Sequence, residues 1–463
     1  MNNDFTPPKP EARAEKVSIF THIRLFRKDI FASQPAKLYR AWMAEFRLPF
    51  FKSYFINDPD LVDHVLNVDP DNFPKSEIIK GALYSLLGNS VFVTNGETWK
   101  RQRRIIDPAF EGGRLRDVFP SMLNAGQAAV ARLDGLADGG PVEIEEQASQ
   151  MAADIIFRTL FSIPITDDVA KQVFDKFRDY QRTQPLLNIA SFLKTPNWIP
   201  KLQSRRTRKT SADIRALLTQ LTQNRFDQIK AGNAPDDLAT KIMTTKDPET
   251  GKTFTPDEMV DQVAIFFLAG HETSASALAW TLYLLAVDQD SQARVAKEVS
   301  EIETLSFANL SKLRFTRDVF REALRLYPPV PMMIRETLQP ETFRDREIKV
   351  GSQIVLSPWH THRHERLWDR PDVFDPDRWT TQETKLCARK AYMPFSSGQR
   401  VCTGAGFAMI EGVLMLAMIL REFKLEPSGE APTPVAHLTV RSKDGIYLKL
   451  TRRRTDTTSK QTA

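Results

Sequence analysis

Phe395-Ser396-Ser397-Gly398-Gln399-Arg400-Val401-Cys402-Thr403-Gly404-Ala405-Gly406 sets one of only two cysteines in the chain among glycines, two residues after an arginine and just before an apolar helical run. A thiolate is a buried charge that persists only where backbone N–H groups and a positive helix end point at it. The stretch therefore reads as a socket for a haem-ligating thiolate. Gly398, Gly404 and Gly406 remove side chains where a flat macrocycle must slide past the loop, and Arg400 reaches a carboxylate on its rim. Phe395 covers the sulfur side. The plain alternative for Cys402 is a small buried apolar residue, which is what most free cysteines of intracellular chains are. A thiolate-rich zinc site is excluded, because Cys387 and Cys402 are too few and wrongly spaced. Cys387 shows no role.

Length alone suggests about three domains for 463 residues, yet no linker, repeat or low-complexity block divides the chain. Hydrophobic residues make up 41%, enough for one large core. The pattern is mostly helical, with strand-like pieces at Ser53-Tyr54-Phe55-Ile56 and Ile354-Val355-Leu356. Two cysteines point to a reducing compartment. The first forty residues hold no run that spans a bilayer and no signal-peptide core, so a cytoplasmic location without a membrane span is expected. The 64 Lys and Arg against 58 Asp and Glu are a modest excess, and nucleic acid is not implied. Arg452-Arg453-Arg454 opens a tail, 451–463, that reads as disordered and basic.

Thr255-Pro256-Asp257-Glu258 carries an N-cap, a proline at the first helical position and a capping-box glutamate. The helix it starts stays largely apolar through Val287, about 32 residues or roughly 48 Å. Apolar on nearly every side, it must be buried, so the polar island Gly270-His271-Glu272-Thr273-Ser274 needs an explanation. Dioxygen chemistry supplies one: Gly270 weakens the helical ladder, Thr273 bonds a carbonyl or a guest, and Glu272 relays protons. The alternative is a core helix with a bent, serine- and threonine-bearing turn. A zinc-protease reading of His271-Glu272 fails because Ala275 stands where the second histidine belongs.

Trp99 and Arg103 lie four apart on one helix face and offer two donors to a carboxylate, while Lys100, Arg101 and Arg104 project elsewhere. In isolation this is an amphipathic surface helix; Arg400 independently argues for carboxylates nearby. Glu322 and Arg325 pair at i and i+3 on a helix ended by Pro328-Pro329. His360, His362 and His364 alternate as on a strand.

Together these motifs resemble the cytochrome P450 superfamily over roughly residues 40–450. Phe-x-x-Gly-x-Arg-x-Cys-x-Gly is similar to its haem loop, Ala269-Gly270-His271-Glu272-Thr273 to its oxygen-activation motif, and Trp-x-x-x-Arg to its propionate-binding helix. The resemblance implies a mainly α, triangular-prism single domain with a small β region, preceded by an extension at 1–39. Haem b lies between Thr273 and Cys402, and Trp99, Arg103, Arg335 and Arg400 hold its propionates. Glu322, Arg325 and Arg378 form a structural triad, and the segment of the three histidines is structural. The implied activity is insertion of one atom of dioxygen into a lipid-like, terpenoid or aromatic substrate by a soluble bacterial-type monomer. Electrons derive from NAD(P)H through a ferredoxin or flavodoxin and its reductase, with Lys100, Arg101 and Arg104 as part of the docking patch. By position in the family pattern the substrate pocket is Leu83, Leu86, Val91, Leu186, Leu187, Ile189, Phe192, Val263, Phe266, Phe267, Val330, Met332, Met333 and Leu438. A peroxygenase and a haem-based sensor or carrier are the rivals, and neither needs the acid–threonine pair.

Replacing Cys402 with serine removes the charge donor, so the carbonyl complex of the reduced protein should lose a strongly red-shifted Soret band. Cys387→Ser should leave that band in place. An unchanged spectrum in Cys402→Ser would sink the ligand assignment.

Overall fold

Stretches with a helical hydrophobic period alternate with short two-residue-period stretches, and the backbone follows them. A computed structural model describes residues 5–48, 51–183 and 205–453. Helix α1 (Ile19–Lys28) precedes strands β1 (Met43–Leu48) and β2 (Phe51–Ile56), then helices α2 (Glu77–Leu87), α3 (Gly96–Ile106) and α4 (Gly112–Asp134). Strand β3 (Val142–Glu143) leads into α5 (Ile144–Phe161), α6 (Asp168–Thr183), α7 (Arg205–Ala231) and the long α8 (Pro256–Val287). Next come α9 (Arg314–Leu326), β4 (Met333–Glu336), β5 (Gln353–Leu356), α10 (Gln382–Ala391) and, after the cysteine loop, α11 (Ala405–Glu422). Strands β6 (Phe423–Pro427), β7 (Pro434–Ala436), β8 (Val440–Ser442) and β9 (Tyr447–Arg452) follow.

Helix α8 begins where its cap dictates. Thr255 accepts from the Glu258 N–H at 3.3 Å, and the Glu258 carboxylate accepts from the Thr255 N–H at 2.9 Å. The helix runs 32 residues through the core, packed on α5, α7, α9 and α11. Both strand-like pieces pair as well: in the sheet β1-β2-β5-β4, β2 lies parallel to β5 with Phe55 opposite Val355. Antiparallel β4 sets Arg335 opposite Ile354. No helix among the described residues is long and apolar enough to cross a membrane.

Glu322, Arg325 and Arg378 meet in the interior. The Glu322 carboxylate accepts from both Arg325 (2.8 and 2.9 Å) and Arg378 (2.9 Å), and the Asp375 N–H adds a fourth bond at 3.1 Å. The remaining guanidinium N–H groups bind the carbonyls of His362, Pro371, Val373, Asp369 and Arg370. Both guanidiniums share the one carboxylate and every guanidinium nitrogen has a partner, the condition under which buried ions are tolerated.

Three expectations need correction. The three histidines do not alternate on a strand; they sit in and just after the helical turn Pro358–Thr361. His360 bonds Ser357 at 2.8 Å, His362 takes the Met393 N–H at 2.9 Å, and His364 stacks on Trp42. No chain break marks residue 40, because the segment before it is bonded to the body: Tyr327 donates to Pro8 O (2.6 Å) and the Ile30 N–H to Ala436 O (3.1 Å). Composition could not show those partners. Likewise β9 continues through Arg452, whose guanidinium bonds Asp134 and Asp138 at 2.6 Å each, so the expected tail begins later; residues 454–463 lie outside the described residues.

Glu322→Ala leaves two buried arginines without their shared anion. The expected cost is about 3–5 kcal/mol, read as a fall in the denaturant midpoint; a loss below about 1 kcal/mol, the range of exposed ion pairs, would contradict this account of the triad.

Candidate active site

Cys402 stands where the loop turns into α11 and lines a continuous cavity of about 1560 Å³. Its exposure is to that cavity. Burial pushes the thiol up, whereas the Gly404 N–H bonded to the sulfur and the charge of Arg103 pull it down. Gly404 is also the N-cap of α11, with no side chain capping the helix, so the positive helix end faces the sulfur loop. The cysteine N–H donates to Phe395 O at 2.9 Å, which folds the cavity-lining Phe395 back over the loop. Of the three loop glycines only Gly404 lines the cavity. A Cβ on Gly398 (φ +69°) would lie 2.3 Å from Leu66 O, and one on Gly406 3.2 Å from Leu115. Those two glycines admit neighbouring protein, not a macrocycle: the loop turns against the segment 64–68 at Gly398 and packs on Leu115 of α4 at Gly406.

Four cations gather at another wall of the cavity. Lys75, Arg103 and Arg400 lie 5.5, 5.8 and 5.3 Å from the centre of the Trp99 ring. Arg335 joins them through a strand bridge to Lys75. The spacing of Trp99 and Arg103 thus places both as expected, and Arg103 bonds Asp107 (2.9 Å) and Val401 O (2.7 Å). Among the described residues Lys75, Arg335 and Arg400 have no carboxylate at ion-pair distance, and the Nε atoms of both arginines are buried without a partner. Burial, then Arg400, brings Arg335 down to about 10. Burial depresses Lys75 strongly too, followed by the charges of Arg335, Arg400 and Arg103. Like charges so arranged are held for an anion. Lys75 was not anticipated, since tertiary contacts far along the chain, with Trp99 and with Arg335, link it to the others.

The remaining cations of α3 are spoken for. Arg101 bonds Glu258 at 2.7 Å, Arg104 bonds Asp247 and Glu249 at 2.6 and 2.9 Å, and Lys100 pairs with Glu97 at 3.1 Å. The expected docking patch is therefore neutralised from within, by acids distant in sequence except for Glu97.

On α8, Gly270 and Thr273 line the cavity together with Ala269 and Phe266. The helix is regular through Gly270; a Cβ there would come within 2.4 Å of Ile156, so the glycine serves the close approach of α5 and not a weakened ladder. Thr273 donates to Ala269 O. The buried Glu272 accepts from Thr439 and Arg441, both at 2.5 Å, and from Gln181 at 3.1 Å. Arg441 is half-exposed, so this ion pair reaches toward solvent. His271 bonds Ser149 at 2.7 Å; burial first, then Arg441 and Arg178, lower it to about 3, so it is neutral.

Leu83, Val91, Phe266, Val330, Met332, Met333 and Leu438 line the cavity as expected. Leu86, Val263 and Phe267 do not: they are core, Phe267 stacking on Phe157 and Phe161. At 100° per residue Val263 lies within about 20° of Gly270 on the wheel, so helical phase alone does not separate it from the lining residues; its height along α8 and the neighbours packed against it do. Leu186, Leu187, Ile189 and Phe192 lie outside the described residues. Phe110, Ile156, Tyr180 and Ala269 also line the cavity; helical spacing from Thr273 points to Ala269, whereas nothing local marks the others.

The family model Cytochrome P450 matches residues 14–450. The chain is a cytochrome P450. It is 32% identical to cyclooctat-9-en-7-ol 5-monooxygenase of Streptomyces melanosporofaciens over 83% of each protein, and 29% identical to human cytochrome P450 4A11 over 85% of this chain and 79% of that one. The crystal structure of the cytochrome P450DA haem domain superposes with a TM-score of 0.82 at 23% identity, covering 97% of this chain and 98% of that one. Retinoic acid-bound cyanobacterial CYP120A1 superposes at 0.77 with 24% identity, covering 89% and 92%. This P450 is therefore a haem-dependent monooxygenase that needs a redox partner and an apolar substrate. Its residues fit a haem: one cavity-facing sulfur met by a backbone N–H, and a cation cluster without counter-ions for the carboxylates.

Glu411 on α11 of this P450 gave no signal in the sequence. Buried on the cavity wall, it accepts from Ser274 at 2.6 Å, and burial pushes it up to about 8 although the Ser274 bond pulls the other way. Between its ordinary range and about pH 8 the unfolded chain is ionised here while the folded one keeps the proton. Folding stability should consequently fall as pH rises through that window. Glu411→Gln should show a smaller drop in Tm from pH 5.5 to pH 8 than wild type; parallel drops would contradict the assignment.

Proposed function

We propose that this P450 inserts one oxygen atom of O2 into a lipid-like or terpenoid substrate, with haem b between Thr273 and Cys402. Electrons come from NAD(P)H through a separate ferredoxin or flavodoxin. One observation carries the reading: a single apolar cavity is walled by a cysteine sulfur, by an acid–threonine pair, and by cations lacking counter-ions. When bound, thiolate-ligated haem supplies the activation of dioxygen. Cys402 is the ligand, and the metal's charge offsets the burial that otherwise favours its thiol. Lys75, Arg335, Arg400 and Arg103, with the Trp99 indole, would hold the carboxylates of the group and so anchor it in the cavity.

Protons enter by way of α8. Glu272 is tied to half-exposed Arg441, which gives its carboxylate access to solvent; turning from that pair, it passes a proton toward Thr273 on the cavity wall. Thr273, anchored on Ala269 O, holds its hydroxyl at a set place and limits stray water. The apolar lining excludes bulk water and favours a hydrocarbon skeleton. Two relatives support that class by name, cyclooctat-9-en-7-ol 5-monooxygenase and the retinoic acid-bound enzyme. A peroxide-driven enzyme has no need of Glu272 and Thr273 in this arrangement.

Thr273→Ala should retain haem and consume NAD(P)H but release peroxide, with product per NAD(P)H several-fold below wild type. Coupling that stays at the wild-type ratio would show that Thr273 does not govern proton delivery.

A further inference from the structure

We infer that His64, Asp69 and Glu341 bind a zinc ion at a site separate from the cavity, which none of the three lines. Their donor atoms, one imidazole nitrogen and two carboxylate oxygens, all lie within 4.8 Å of one another, and no other such group of three occurs among the described residues. The arrangement starts in the local backbone. His64–Val68 is a single π-helical turn, a form frequent at functional sites. In an α-helix, residues five apart point about 140° from each other. Here the Asp69 N–H bonds His64 O at 2.9 Å, and this wider turn carries Asp69 back beside the histidine.

Glu341 comes from a hairpin in which Glu341–Phe343 pairs with Arg346–Ile348. Its Oε1 accepts from Asn72 Nδ2 at 2.5 Å, and Asn72 Oδ1 accepts from the Gln339 N–H at 2.7 Å. One carboxylate oxygen is thus held, and the other, Oε2, is turned toward His64. The imidazole stands edge-on to Phe73 and Phe343, with ring centres 5.7 and 6.2 Å away, which fixes its plane. Nε2 and Oε2 are then 3.6 Å apart. That is too long for a hydrogen bond and close to the edge of a zinc tetrahedron, about 3.4 Å for bonds of about 2.1 Å. Ligands braced by partners outside the metal are what such sites require, and Asn72 braces Glu341 in that way.

The charges fit as well. Arg344 and Arg346 on the same hairpin are taken by Asp58 and Glu45, at 2.5 and 2.9 Å, whereas neither Asp69 nor Glu341 has a Lys or Arg at ion-pair distance among the described residues. A neutral imidazole and two carboxylates balance a divalent ion. The nitrogen in the set selects zinc over calcium or magnesium, which take oxygen ligands. Three protein ligands leave the fourth position to water. The ion ties the hairpin to the segment on which the cysteine loop rests: Leu66 O faces Gly398, Asn67 bonds Ser397 at 3.3 Å, and Pro70 O accepts from Arg400 at 2.7 Å.

The test adds zinc sulfate to tag-free, haem-loaded protein freed of other metals with a chelator, and follows binding by calorimetry. Wild type should take up one zinc per chain, and its Tm should rise with zinc concentration. The zinc K-edge spectrum should show nitrogen and oxygen at about 2.0–2.1 Å and no sulfur at about 2.3 Å; it reads the ligand set of wild type without any variant. Asp69→Asn and Glu341→Gln, both isosteric, should each weaken zinc at least about tenfold, the scale already lost when a supporting partner is removed. Failure of wild type to take up zinc, a sulfur shell from Cys387 or Cys402, or unchanged affinity in the two variants would overturn the inference.

Discussion

The structure is organised around charges it does not neutralise itself. Lys75, Arg335 and Arg400 stand within the same wall as Arg103, drawn from the segment before α2, from β4, from the cysteine loop and from α3. Bringing like charges out of water costs free energy twice, in desolvation and in mutual repulsion. Only well-anchored elements hold such a cluster together. Antiparallel pairing with β5 anchors Arg335, carbonyls of Pro70 and of Val91 and Thr94 anchor Arg400 and Lys75, and the buried Trp99 indole lies among Lys75, Arg103 and Arg400. On the proposed reading, two carboxylates on a bound macrocycle would turn that cost into affinity.

The rest of the fold keeps the two faces of that macrocycle's site in register. Helix α8 comes so close to α5 at Gly270 that a Cβ would displace the Ile156 side chain, 2.4 Å away, and α11 comes equally close to α9 at Gly412, where a Cβ would meet Phe320 at 2.3 Å. These contacts set the spacing between Thr273 on one helix and Cys402 ahead of another. The Glu411–Ser274 bond links the same two helices directly. Gln181 on α6 and Arg441 on β8 converge on Glu272, so the acid proposed to relay protons also ties a cavity-lining helix to the β hairpin.

What was legible in the sequence was local. The capping box at Thr255, the four-residue spacing of Trp99 and Arg103, and the glycine-flanked Cys402 each state their geometry within a few residues, and the family resemblance joined them into one domain. What escaped depends on partners far along the chain. Lys75 belongs to the site because residue 335 pairs beside it. Lys100, Arg101 and Arg104 looked like a free basic patch, yet Arg101 and Arg104 find acids about 150 positions away. Gly398 carries a motif reading correctly and a reason wrongly: its neighbour is Leu66, which no spacing discloses. Leu86, Val263 and Phe267 are apolar like the lining residues, and only the tertiary neighbours packed against them separate core from cavity.

The central claim is that uncompensated cations recognise the two carboxylates of the cofactor. Its most direct measurement is the affinity of the cofactor-free protein for haem against that for haem dimethyl ester, which has the same ring and iron but no charge at the propionates. The account predicts that the ester binds at least about a hundredfold more weakly, two charge-assisted contacts being lost, and that the difference shrinks in a Lys75→Met, Arg335→Met variant. Equal affinities for the two compounds would contradict it.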